Sequence, residues 1–193
     1  MLKLLKDTST SYGWMTIIAH WLTGVVVVSM FTVGLWMVDL DYYSQWYKTA
    51  PHYHKSAGLV LALFTIVRIL WKMKQISPKT LGENWERRIA KIAHWLLYVL
   101  LGSMFFSGYL ISTADGRGID VFNWFMLPSL GEIIDNQEDV AGQIHEWIAY
   151  GLIGLASFHA LAALKHHILD KDQTLIRMLK PQLTQSYQQK DKR

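Results

Sequence analysis

A chain of 193 residues that is 51% hydrophobic, with nine Trp, nine Tyr and no Cys, has room for one domain and a profile rare among soluble proteins. The lack of cysteine excludes disulfides, thiolate zinc sites, iron–sulfur clusters and the covalent attachment of a c-type haem. The formal charge of +4 is small, and its distribution speaks to membrane topology rather than to a nucleic-acid partner.

Residues 1–13 are polar and basic, with Lys3 and Lys6. The apolar run after them is too long for a cleavable signal peptide and has no small-residue cleavage site at its end. Residues 14–38, about 25 without a charge, predict a first transmembrane helix whose single titratable group is His20. Residues 39–53 read as an aromatic interfacial loop, and Pro51 suits the first turn of the next helix. That helix is expected over 52–72, interrupted only by Arg68 near its far end. A strongly basic connection leads to a third helix over 89–112, with His94 near its start and Gly102 and Gly108 as close-packing positions. Residues 113–140 form the longest connection, acidic except for Arg117. Within it, 119–127 read as a short amphipathic piece on the membrane surface. The fourth helix is expected over 140–169. Residues 1–180 thus form one all-α, four-helix membrane domain, and 181–193 a polar tail too poor in apolar residues to fold alone.

Four spans bring both termini to one side. Lys and Arg concentrate at the amino terminus, in the loop between helices two and three, and at the carboxyl terminus, so these segments are expected to be cytoplasmic. A multi-pass protein of a bacterial inner membrane follows, with lipid as its first partner.

His145 and His159 lie fourteen residues apart on the fourth helix. They point the same way to within about 40° and sit roughly 21 Å apart in depth. Such spacing suits one axial ligand for each of two haems stacked across the bilayer. Depth then sets the partners: His20 with His159 on the cytoplasmic side, His54 with His145 on the outer side. One turn after each stands a small residue, Gly24, Gly58, Ala149 or Ala163, leaving room for a flat macrocycle. His52 competes with His54 but lies nearer the loop. His166 and His167 fall at the cytoplasmic interface. Arg68, fourteen residues after His54, shares its face and reaches the inner depth, where its guanidinium suits a haem propionate.

The sequence also resembles the bacterial cytochrome b561 family. The matching pieces are His20-Trp21-Leu22, the run from His54 to Gly58, Val67-Arg68-Ile69-Leu70, and Ala93-His94-Trp95 through Tyr98. In the fourth helix they are Ile144-His145-Glu146, His159 through Ala163 and Lys165-His166-His167, followed by Asp172-Gln173-Thr174-Leu175. The resemblance implies two non-covalent b haems, with iron ligands at His20, His54, His145 and His159. It also implies electron exchange with membrane quinone; some members are similar to enzymes that oxidise superoxide while reducing ubiquinone.

The expected activity is therefore that of an oxidoreductase passing electrons from an outer donor, a small molecule or a protein, to ubiquinone. His94, Lys165 and His166, with Arg68, are the expected quinone contacts, and Lys48, Lys55 and Arg117 the outer cations available to an anionic donor. Two rivals are an anchor subunit of a hydrogenase or dehydrogenase, and a haemless transporter using the histidines as metal or proton relay.

Overall fold

In the computed structural model, which describes residues 4–182, four long helices account for most of the chain. They are α1 (Trp14–Val38), α2 (Thr49–Met73), α3 (Asn84–Thr113) and α4 (Gln137–Ile168), of 25, 25, 30 and 32 residues. Each exceeds the length needed to cross a hydrocarbon layer of about 30 Å. On α1 only Ile17 and Thr23 are buried, while Val25 is 62% exposed. A helix apolar on all sides and exposed over most of its surface is at home only where lipid is the solvent, since its backbone bonds are satisfied internally.

The helix ends depart modestly from the sequence expectation, for identifiable reasons. α2 starts at Thr49 rather than 52, with Pro51 in its first turn, where a missing N–H costs nothing. α3 starts at Asn84 rather than 89 because Glu83 and Glu86 form a capping box; Glu86 Oε2 accepts the Glu83 N–H at 2.8 Å. α4 starts at Gln137 rather than 140, with Glu138 and Asp139 in its first turn complementing the helix dipole.

The helices associate as two antiparallel pairs. α3 packs most extensively on α4 and α1 on α2, α2 also meets α3, and α1 and α4 approach each other sparsely. His20 of α1, His94 of α3 and His159 of α4 come together between these helices.

The two ends of the bundle differ. At the end holding both termini, Asp7 accepts the Gly13 N–H at 2.7 Å and the Thr16 hydroxyl at 3.0 Å, tying the leading segment to the start of α1. A short helix, α5 (Thr174–Arg177), lies beneath the bundle, and Trp21 Nε1 donates to the Met178 carbonyl at 2.6 Å. The polar tail expected over 181–193 falls, from residue 183, outside the described residues.

At the opposite end, residues 119–127, expected as a short amphipathic piece on the membrane surface, are strand rather than helix. They form a two-stranded antiparallel hairpin, β1 (Ile119–Val121) with β2 (Phe125–Leu127), in the register Ile119 to Leu127 and Val121 to Phe125. Phe122 and Asn123 at its turn both have positive φ, 50° and 57°, as a type I′ turn requires. A bulky aromatic residue rarely adopts that conformation. It is held there because Ser56 Oγ, fully buried, accepts the Phe122 N–H at 3.1 Å and donates to the Asp120 carbonyl at 3.2 Å. Asp120 Oδ1 accepts the Asn123 N–H at 3.0 Å. The hairpin is thereby latched onto α2 two residues beyond His54.

Gln137, 1% exposed, closes the same end: its Nε2 donates to the Leu110 carbonyl at 2.9 Å and its Oε1 accepts the Ile133 N–H at 2.8 Å. Gln137→Ala strands both backbone groups, and a loss of about 1–3 kcal/mol is expected. Thermal unfolding in detergent measures it; an unchanged Tm contradicts this account.

Candidate functional site

At the terminal end of the bundle, α1, α3 and α4 bring three imidazoles together. The His20 and His159 ring centres are 6.2 Å apart at an interplanar angle of 69°, and His94 stands 5.0 Å from His159. His94 was reached from the sequence only as a quinone contact; its nearness to His159 depends on how α3 turns against α4. Its Nδ1 lies 2.6 Å from the Ala90 carbonyl. A carbonyl only accepts, so Nδ1 carries the proton and Nε2 presents a lone pair.

Arg68, from α2, reaches across to α1: Nη1 donates to Thr23 Oγ1 at 3.0 Å, and Nη2 lies 3.2 Å from His20 Nδ1. The guanidinium has only donors, so His20 Nδ1 is the acceptor in this contact. Arg68 and Lys72 both stand over the Tyr98 ring, 5.7 and 5.3 Å from its centre. Thr23 was not singled out in the sequence, although a hydroxyl one turn from a membrane histidine is the signal that marks it.

At the hairpin end, His145 Nδ1 is 2.9 Å from Ser107 Oγ, which is itself 2.9 Å from the Ser103 carbonyl. A Ser107 hydroxyl that donates to the Ser103 carbonyl would accept Nδ1–H, with His145 Nε2 then unprotonated. Gly108 lets the ring lie against α3, since a Cβ there would stand 3.2 Å from His145 Cε1. Gly108 is thus a close-packing position as expected. Gly102 is not: a Cβ there meets nothing within 4 Å. His54 lies opposite, close enough for His145 to act on it electrostatically, with its Cε1 3.5 Å from where a Gly34 Cβ would be. Ser107 and Gly34 were missed in the sequence. A mid-span serine at the depth of His145 is a usable signal; Gly34 has none.

Do these residues fit haem? Two imidazoles on one metal, each bonded at about 2 Å, place their ring centres about 6 Å apart, and His20 and His159 are already at 6.2 Å. His54 Nδ1 is buried without a hydrogen-bond partner among the described residues, a costly state for a group that cofactor binding would provide for. A Cβ on Gly24 meets nothing within 4 Å, and one on Gly58 only Met30 Cε at 3.7 Å, so both ligand-bearing helices leave clearance where a macrocycle needs it. The donor set, neutral nitrogen without thiolate, suits a b-type centre.

The remaining expected quinone contacts are engaged elsewhere. Lys165 Nζ bridges Glu86 Oε1 at 2.6 Å and Asp170 Oδ2 at 2.7 Å, and His166 Nδ1 lies 2.9 Å from carboxylate oxygens of Asp170 and Asp172. Glu86, His166 and Asp170 are spaced as metal ligands would be, yet the Lys165 ammonium sits among them and neutralises the acids. The cluster is a clasp between the start of α3 and the end of α4. Burial works to raise the Asp172 carboxyl, but the Thr174 and His166 hydrogen bonds outweigh it and hold the group below its ordinary value. Of the outer cations, Arg117 is paired with Asp115 at 2.5 Å, and its hydrogen bonds hold that carboxyl low. Lys48 and Lys55 are exposed.

Residues 11–181 match the family described as prokaryotic cytochrome b561. The chain is 43% identical over 175 residues to cytochrome b561 homolog 2 of Escherichia coli (strain K12), covering 90% of this chain and 93% of that protein. It is 28% identical over 174 residues to the probable superoxide oxidase CybB of Yersinia pestis, covering 87% and 95%. To cytochrome b561 homolog 1 of E. coli (strain K12) it is 26% identical over 165 residues, covering 83% and 92%.

Since a Cβ on Gly108 already crowds His145, Gly108→Val is expected to push the imidazole out of place and lower the haem bound per chain. Absorbance per protein in purified material measures this, and undiminished haem would show that the site tolerates the shift.

Proposed function

The chain belongs to the prokaryotic cytochrome b561 family, a multi-pass b-type cytochrome of electron transport in the bacterial inner membrane, and from that premise we propose that it carries electrons across the membrane to quinone through two b haems. The observation that carries this reading is the pairing of imidazoles at two depths, with His20 facing His159 at 6.2 Å and His54 and His145 at the other end. His20 and His159 hold one haem, His54 and His145 the other. The basic terminal end faces the cytoplasm and the hairpin end the periplasm. A haemless transporter is set aside by membership of a cytochrome family.

Held by His20 with His159 and by His54 with His145, the haems would supply one-electron, outer-sphere chemistry. The protein's own groups do the rest. The Ser107 relay keeps the proton on His145 Nδ1, so that Nε2 is free to ligate. A haem held through His20 Nε2 would leave the proton on Nδ1, and Arg68 Nη2 would then be free to hold an anionic acceptor such as a haem propionate. Thr23 keeps the guanidinium at that depth meanwhile. His94 Nε2, beside His159, is the atom that exchanges a proton with ubiquinone bound at the inner end. Lys165 and His166, committed to the clasp, line the aqueous edge of that region. Each outer donor molecule gives one electron; two electrons and two cytoplasmic protons convert one quinone to one quinol.

Superoxide, the substrate in the name of the Y. pestis relative, is the donor reading to test first. It would give molecular oxygen and one electron, with Lys48 and Lys55 as the outer cations left to guide it. The second reading, an anchor subunit feeding electrons from a partner enzyme, is favoured only by the fold that such subunits share.

Stopped-flow reduction of the purified holoprotein by superoxide, followed by reoxidation with added ubiquinone, separates these readings. Rapid reduction without a partner supports the first; reduction only with a partner enzyme supports the second. The two haems are distinguished by substitution: His20→Ala and His159→Ala are expected to delete one low-spin spectrum, His54→Ala and His145→Ala the other. Different losses within a pair contradict the assignment. His94→Phe is expected to slow quinone-dependent reoxidation on the order of 100-fold, the usual scale for a lost acid–base group, while leaving reduction from the outer side unchanged. Equal rates for wild type and variant would remove His94 from the proton path.

A further inference from the structure

The two histidine pairs differ in the charge set beside them. At the inner pair, Arg68 lies 3.2 Å from His20 Nδ1, anchored by Thr23 at 3.0 Å, and Lys72 stands over the Tyr98 ring, 5.3 Å from its centre. At the outer pair the partner of His145 is the neutral Ser107 hydroxyl, and His54 Nδ1 has none; among the described residues no charged side chain hydrogen-bonds either of them. The charges nearest in sequence there, Lys55 and Glu146, are of opposite sign and exposed.

We infer that Arg68 makes the inner haem the more easily reduced of the two, so that an electron in transit rests at the quinone end. The inference rests on the di-haem reading above and extends it from where the haems are held to how they are poised. Reduction of a bis-histidine iron adds one negative charge to the centre. A cation fixed within a low-dielectric span favours the reduced form, and the attraction falls off with distance, so it acts far more on the near haem than on one roughly 21 Å deeper. Arginine suits this role because it stays protonated when buried, where lysine readily loses its proton. An electron entering at the hairpin end then moves to the higher-potential centre beside His94, where quinone takes it. The balance is one electron from the outer donor and one to the quinone for each passage.

The test is a redox titration of purified holoprotein, following the haem absorbance. In single-haem forms, His54→Ala retains the inner haem and His20→Ala the outer, and the inner is expected to titrate at the higher potential. Arg68→Gln in the full protein is expected to lower the higher-potential step by at least tenfold in its reduction equilibrium, 59 mV for one electron, with the other step unmoved. Arg68→Lys is expected to restore part of the loss. An inner haem at or below the outer potential overturns the inference whatever the Arg68 variants do, and so does an Arg68→Gln shift that is absent or shared equally by both steps. If the wild type shows fewer than two haem steps, the di-haem reading itself fails, which is a separate outcome.

Discussion

Imidazole and guanidinium groups at membrane depth must find one another, because hydrocarbon has no hydrogen bond to offer and desolvating them without a partner is costly. The arrangement of the helices follows. α1 pairs with α2 and α3 with α4, and the side chains that hydrogen-bond between helices meet in the interior. His20, Arg68 and Thr23 meet there from α1 and α2, His145 and Ser107 from α4 and α3. The outer surfaces are left almost wholly apolar, as lipid requires.

Because a helix rises 1.5 Å per residue, the fourteen-residue interval between His145 and His159 does more than space two imidazoles. It makes α4 the common wall of both sites and separates them by most of the hydrocarbon thickness. In the proposed function, electron transfer across the membrane would rest on one helix's pitch together with the partners its neighbours bring to each end. Those partners are unlike: a neutral hydroxyl relay at one end, an arginine at the other. The proposed poise between the two ends rests on this difference.

The outer end is closed with unusual care for so short a connection. Phe122 adopts a conformation that aromatic residues avoid, and it is kept there by Ser56, by the Asp120 carboxylate acting on its neighbour, and by ring contacts with Tyr53 and Trp124 at 6.1 and 5.4 Å. The residue bearing that latch is two positions from His54. The latch thus ties the hairpin to the helix that carries His54.

The spans, the one-sided basic segments and the depths of the four histidines were legible in the sequence, because helix length, charge distribution and axial rise depend on the chain alone. Residue spacing also put Arg68 at the inner depth. What the spacing does not contain is the rotation of each helix against its neighbours. That rotation set His94 beside His159, turned Ser107 and Gly108 rather than Gly102 toward His145, and drew Lys165 and His166 into ion pairs with Glu86, Asp170 and Asp172. The hairpin over 119–127 was hidden for a related reason: its apolar pattern is too short to tell a strand pair from an amphipathic turn of helix. Its conformation is selected by Ser56, more than sixty residues earlier in the chain. Height in the membrane is local information; which groups touch at a given height is decided by packing.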